Sequence, residues 1–173
     1  DWDPKEVIGM GAVYTRQPDG RPLRDLPDDD LWWLQLQHRA YTGALEQYVG
    51  TLIDYSGEAT VLDVHSYGTT PGPHASDTAP RPEVCFGSDP LHTPDWLRTA
   101  ATDAFRGFEV QFDTAFTGTY LPGRQWIDDP SVSSISVKVR QDVLATPSGT
   151  GRAAAALRSL VNTCRRHASD ARR

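Results

Sequence analysis

Asp63, His65 and Ser66 fall together in the stretch ATVLDVHSYG (residues 59–68), where a β-branched apolar run gives way to polar side chains and a glycine. The two-residue period of a strand puts Asp63 and His65 on one side. Two chemistries suit such a pair: an imidazole that ligates a metal, or a histidine oriented by a carboxylate. The end of a strand is also where α/β sheets tend to place ligand sites. Against this, a lone histidine there more often serves as a satisfied structural residue, and no HxxH, HxxE or CxxC pair accompanies it. Lys138 lies inside a second apolar strand pattern, SISVKVR (134–140), in a chain with only two lysines, Lys5 and Lys138, against fifteen arginines. The segment TGTY (117–120) reads on its own as a turn.

The elements that must carry these residues are legible in outline. Asp28–Asp30 place acidic side chains at the start of a helix running to about Tyr55, with Tyr41, Leu45, Tyr48, Val49 and Leu52 as its core stripe. Strands are expected at 60–64, 83–86 and 108–112, and a fourth at 133–140, where Ile135, Val137 and Val139 face one way and Ser136, Lys138 and Arg140 the other. Before the second strand, the long loop SYGTTPGPHASDTAPRP has the length of functional or mobile loops. HTPDWLRTAATDAFRG predicts a helix with Thr93 as N-cap, Pro94 in the first helical position and Gly107 as its stop. A last helix, 152–168, sets Ala153, Leu157, Leu160, Val161, Cys164 and Ala168 on one face. The opening 30 residues read as loop with one short strand near 12–14. Strands alternating with helices predict an α/β sheet covered on both faces.

At 173 residues and 38% hydrophobic, the chain suits one domain with a real core. A net charge of −6 argues against a nucleic-acid partner. No apolar run reaches membrane-spanning length and no signal-peptide pattern opens the sequence, so a membrane partner is not expected. Cys85 and Cys164 read as reduced core thiols, and the expected location is the cytoplasm. From Gly149 onward six arginines face one aspartate, which gives an acidic body and a basic terminal helix.

Five segments, GAVYTRQPDGRPLR, VLDVHSYG, VCFGSDPLHTPDWL, AFTGTYLP and SISVKVRQDVL, occur in an order and spacing that resembles the N-formylglutamate amidohydrolase family, over residues 11–144. The resemblance implies a three-layer α/β/α sandwich with a mixed sheet, similar to zinc exopeptidases, and hydrolysis of an N-acyl amino acid or small amide. It also implies that residues 1–173 form one domain, the C-terminal portion of that fold. Carried onto this sequence, it makes His65 a zinc ligand with Asp63 behind it. Gly118 then allows close backbone approach, and Tyr120 offers a hydroxyl to substrate. Arg16 and Arg140 become candidates for binding a substrate carboxylate, with a salt-bridged scaffold role as the alternative for each.

Three departures from the family pattern bear on the chemistry. The family's upstream PHSG histidine and its acidic companion have no counterpart, and the chain opens on Asp1 rather than Met, so an upstream segment or partner chain is expected to complete the zinc site. Lys138 stands where the family carries a Glu as general base, which makes it the candidate catalytic position with altered chemistry. Thr42 stands where the family carries a His. One reading is therefore a metal-dependent amidohydrolase; another is a catalytically altered relative acting as a binding or interaction protein. A third uses Lys138 as base or as anchor for an anionic substrate.

Overall fold

The computed structural model describes residues 9, 11–17, 20–70, 81–123 and 126–170. Its elements run α1 (Asp28–Ser56), β1 (Ala59–Tyr67), β2 (Val84–Gly87), α2 (Asp95–Ala104), β3 (Val110–Phe112), β4 (Val132–Arg140), α3 (Gln141–Leu144) and α4 (Pro147–Asp170). Most of the long loop before β2, residues 71–80, lies outside the described residues. The short strand expected near 12–14 is replaced by isolated bridge positions, Arg16 pairing with Pro22. Among the described residues no helix is long and apolar enough to cross a membrane.

The four strands form one mixed sheet in the order β1-β4-β2-β3. β4 lies parallel to β1 and antiparallel to β2, and β3 lies parallel to β2. Register and alternation sort the side chains. Leu62, Ile135, Val137, Val139, Val84, Phe86, Val110 and Phe112 share one face, which α2 and α4 cover with Leu97, Ala101, Ala153, Ala156 and Leu160, joined by Phe105 just past the end of α2. This is the main core. On the opposite face Val49, Leu52 and Ile53 of α1 pack on Ala59, Val61 and Val132. Helices on both sides of a mixed sheet make the expected three layers.

Several local expectations are corrected, each for a packing reason. The stripe proposed for α1 holds only in its last turns: Val49 is buried, whereas Tyr41 and Tyr48 are 64% and 63% exposed. The helix touches the sheet only there, and farther up a cavity separates the two. Thr93 does not cap α2. Its hydroxyl donates to the Ser134 carbonyl at 2.7 Å and accepts from Asp89 N–H at 2.9 Å, so β4 has claimed the group that the sequence assigned to the helix. The helix starts after Pro94 and ends at Ala104, before Gly107. On α4 the buried positions are 149, 153, 156, 160 and 164, which turns Val161 outward. β1 continues past Val64 to Tyr67 because β4 pairs with it residue for residue to Arg140.

His92 anchors the segment entering β4. It is buried, with Nδ1 and Nε2 each 2.8 Å from a carbonyl oxygen, of Val132 and Ile127 respectively. Its own carbonyl accepts the Ser134 N–H. Both cysteines are free and buried, as expected, and burial pushes the Cys164 thiol up to about 11.

Candidate functional site

Strand alternation gives β1 and β4 one apolar face and one polar face, and parallel pairing aligns the polar positions as Asp63↔Ser136 and His65↔Lys138. The four side chains join into one hydrogen-bonded chain. Lys138 Nζ donates to Ser136 Oγ at 2.8 Å, Ser136 Oγ donates to Asp63 Oδ2 at 2.8 Å, and Asp63 Oδ1 lies 2.6 Å from His65 Nε2. From the buried Ser136 outward exposure rises, through 20% for the Asp63 side chain to 55% for that of His65. The Lys138 ammonium also sits 5.1 Å from the centroid of the Phe116 ring, over its π face.

This chain forms one side of a cavity of about 950 Å³. Helix α1 supplies His38, Tyr41 and Thr42 to the opposite side, and the loop after β3 supplies Phe116, Gly118 and Tyr120. The loop is fastened to the sheet. Thr119 donates to Ser134 Oγ at 2.6 Å, and Ser134 Oγ donates to the Tyr120 carbonyl at 2.7 Å. Gly87 makes the close fit possible, since a Cβ on it would lie 2.1 Å from the Gly118 carbonyl oxygen. Gly118 itself, at φ 75°, adopts the left-handed conformation that glycine tolerates without strain. Burial, then the neighbouring Tyr41 and Asp63, raise the Tyr120 pKa, so its hydroxyl remains a donor at neutral pH.

The structure thus gathers Asp63, His65, Gly118, Tyr120 and Lys138 around one space. Arg16 and Arg140 do not line it. Arg16 is exposed and its Nη1 donates to the Gly20 carbonyl at 3.1 Å, bracing a turn. Arg140 shares the polar face of β4 but lies at its very end. It pairs through Nε and Nη2 with Asp142, at 2.7 and 3.1 Å, and donates through Nη1 to the Arg81 carbonyl. That pairing holds the Asp142 carboxyl below its usual range. Two residues escaped the sequence reading. Ser136, the link between Lys138 and Asp63, was signalled only by its place two residues before Lys138. His38 stands one helical turn before Thr42, whose hydroxyl donates to the His38 carbonyl at 3.1 Å.

Zinc is matched in part. A carboxylate on Nε2 is the usual support of a metal-binding histidine, and it leaves Nδ1 as the ligand atom. Yet among the described residues no group of three or more His, Cys, Asp or Glu side chains could hold a metal ion, and a catalytic zinc takes about three protein ligands. The described residues do not fit a zinc ion by themselves.

Tyr67, at the end of β1, closes one side of the cavity and donates its hydroxyl to the Pro82 carbonyl. Burial, reinforced by Cys85, pushes that hydroxyl up to about 12, whereas an unfolded tyrosine ionises near 10. The unfolded chain therefore gives up this proton first as pH rises. The contribution to stability is complete below about pH 10 and falls by at most about 1.4 kcal/mol per unit until about pH 12. Urea unfolding should show this slope in the wild type and a shallower one in Tyr67→Phe. Parallel curves for the two proteins would exclude Tyr67 as its source.

Comparison with known proteins agrees with the fold. The sequence profile of the family described as N-formylglutamate amidohydrolase matches residues 1–145. Among solved structures, the fold is similar to the crystal structure of an N-formylglutamate amidohydrolase from Ralstonia eutropha JMP134, with a TM-score of 0.69 at 18% identity. That superposition covers 99% of this chain and 65% of the other, so the chain spans less than two thirds of the protein it resembles. No curated protein matches.

Proposed function

Because the chain belongs to the N-formylglutamate amidohydrolase family, we propose that its cavity hydrolyses the C–N bond of an N-acyl amino acid or similar small amide. The observation that carries this reading is the 2.6 Å contact between Asp63 Oδ1 and His65 Nε2 at the mouth of the cavity. With its Nε2 proton held by the carboxylate, His65 keeps a lone pair on Nδ1. In the hydrolytic step Nδ1 accepts a proton from the attacking water as the new C–O bond forms. It returns that proton to the nitrogen as the C–N bond breaks. The Tyr120 hydroxyl, held as a donor, supports the carbonyl oxygen. A zinc ion, which the family resemblance implies, would take the same nitrogen and draw its other ligands from outside the described residues. Free, buried cysteines are consistent with action in the cytoplasm.

The test is release of free amino acid from a panel of N-formyl and N-acetyl amino acids, run with added zinc and with a chelator. Release above buffer controls is expected in at least one of the two conditions. If folded protein released no amine from any substrate in either condition, the hydrolytic reading would be lost and a binding role would take its place.

A further inference from the structure

Helix α1 rests on the sheet through Val49, Leu52 and Ile53 of its last turns. Away from the sheet, helical spacing lines up Trp33, Gln37, Tyr41, Ala44, Tyr48 and Thr51, all of them exposed and none of them charged. Trp33, Tyr41 and Tyr48 are 54%, 64% and 63% exposed. The charged and titratable side chains of the same stretch lie off this stripe: His38 lines the cavity, Glu46 lies against Gly123, and Arg39 falls on a flank. A solvated helix face ordinarily carries charge, and a charge-free face set with aromatic side chains is the composition of an interface core.

The stripe is also nearly symmetric about Ala44. Gln37 and Thr51 lie seven residues to either side of it, Tyr41 three before it and Tyr48 four after. We infer that this face joins two copies of the chain as an antiparallel helix pair, with the two-fold axis at Ala44. The small Ala44 side chains then allow the helices to approach closely, each Tyr41 lies beside the partner's Tyr48, and each Gln37 amide reaches the partner's Thr51. Antiparallel helices also bring opposite dipole ends together. Three aromatic side chains, each more than half exposed, and the residues between them offer on the order of 600 Å² per copy. The flanking Leu36 and Gln47 bring this toward the ~800 Å² that each partner gives to a standard interface. An unrelated partner could meet the aromatic rings, but only a second copy accounts for the symmetric spacing. The inference is independent of the proposed hydrolysis.

Sedimentation equilibrium on the 173-residue chain tests this. At about 100 μM the mass should be twice 19.1 kDa, and at about 0.1 μM it should return to that of the monomer, as a micromolar dissociation constant requires. Added salt should leave the dimer intact, because no ion pair holds it. Ala44→Arg should weaken association about a hundredfold by setting two like charges against each other on the axis, with circular dichroism unchanged. Single cysteines read the register without relying on that variant. Ala44→Cys should oxidise to a covalent dimer. Gln37→Cys should not, because its two copies stand twice seven residues apart, about 21 Å along the helices, and a disulfide needs Cα atoms within about 7 Å. Gln37→Cys and Thr51→Cys together in one chain should restore the cross-link. A monomer at every concentration would overturn the inference and leave this face to another segment or protein. A dimer that Ala44→Arg does not loosen, or one that cross-links through Gln37→Cys rather than Ala44→Cys, would overturn it as well.

Discussion

His65→Ala should lower amide hydrolysis by about a hundredfold or more while leaving the fold intact. Positioned proton transfer contributes about 10²–10⁴-fold to such reactions, and alanine removes the accepting nitrogen altogether. The structural cost is small because the side chain is 55% exposed and packs against no core cluster. Asp63 keeps its bond from Ser136, and its freed oxygen faces a cavity open to water. A stability change below about 1 kcal/mol is therefore expected, as for other exposed ion pairs. Kinetics and urea unfolding on one preparation give both numbers. Turnover within threefold of wild type would remove His65 from the chemistry. A collapse in stability would instead make it a structural residue, the ordinary role for a histidine at a strand end.

Phe86→Ala should have the complementary effect, a loss of about 3–5 kcal/mol of stability. Phe86 is fully buried on the face of the sheet away from the cavity. Its ring meets Phe105, the residue that follows α2, edge-on at 5.5 Å and Phe112 of β3 at 5.0 Å, so it joins the sheet to the helix layer. Truncation removes both contacts and leaves a void that a close-packed interior fills only partly. Since small domains are stable by about 5–15 kcal/mol, this is a large fraction of the total. Equilibrium unfolding would measure it. A loss under about 1 kcal/mol would show that the core lies elsewhere, whereas the cavity residues, on the opposite face, should bind ligand normally in whatever fraction remains folded.

The two faces of β4 show how much of this was readable from sequence. The alternation of Ile135, Val137 and Val139 with Ser136, Lys138 and Arg140 is strict, and it assigned each side chain to the correct face before any partner strand was known. It could not say that β1 would be that partner, in parallel, with His65 opposite Lys138. That register comes from tertiary pairing, and without it the link through Ser136 is invisible. Arg140 illustrates the same limit in reverse, because its face was right and its partner, Asp142, was only two residues away but not considered. On α1, helical spacing marked Tyr41 and Tyr48 as core, since periodicity cannot distinguish a stripe that meets a sheet from one left exposed; Tyr41 borders the cavity instead. Thr93 failed for a related reason: its hydroxyl suits a helix cap, but a β-strand carbonyl 41 residues away was nearer at hand.

The pairing of β1 with β4 also fixes when the site can come into being. Ala59–Tyr67 must find Val132–Arg140 with β2, α2 and β3 lying between them in sequence. Closing so long a loop carries an entropic cost that local helix formation does not, and contacts of this range set the pace of folding in small domains. Helices α1, α2 and α4 can form from neighbouring residues alone. The Asp63–His65 and Ser136–Lys138 pairs become neighbours only in the non-local step, so an ensemble with native helical content but β1 and β4 unpaired would possess every residue of the site and none of its chemistry.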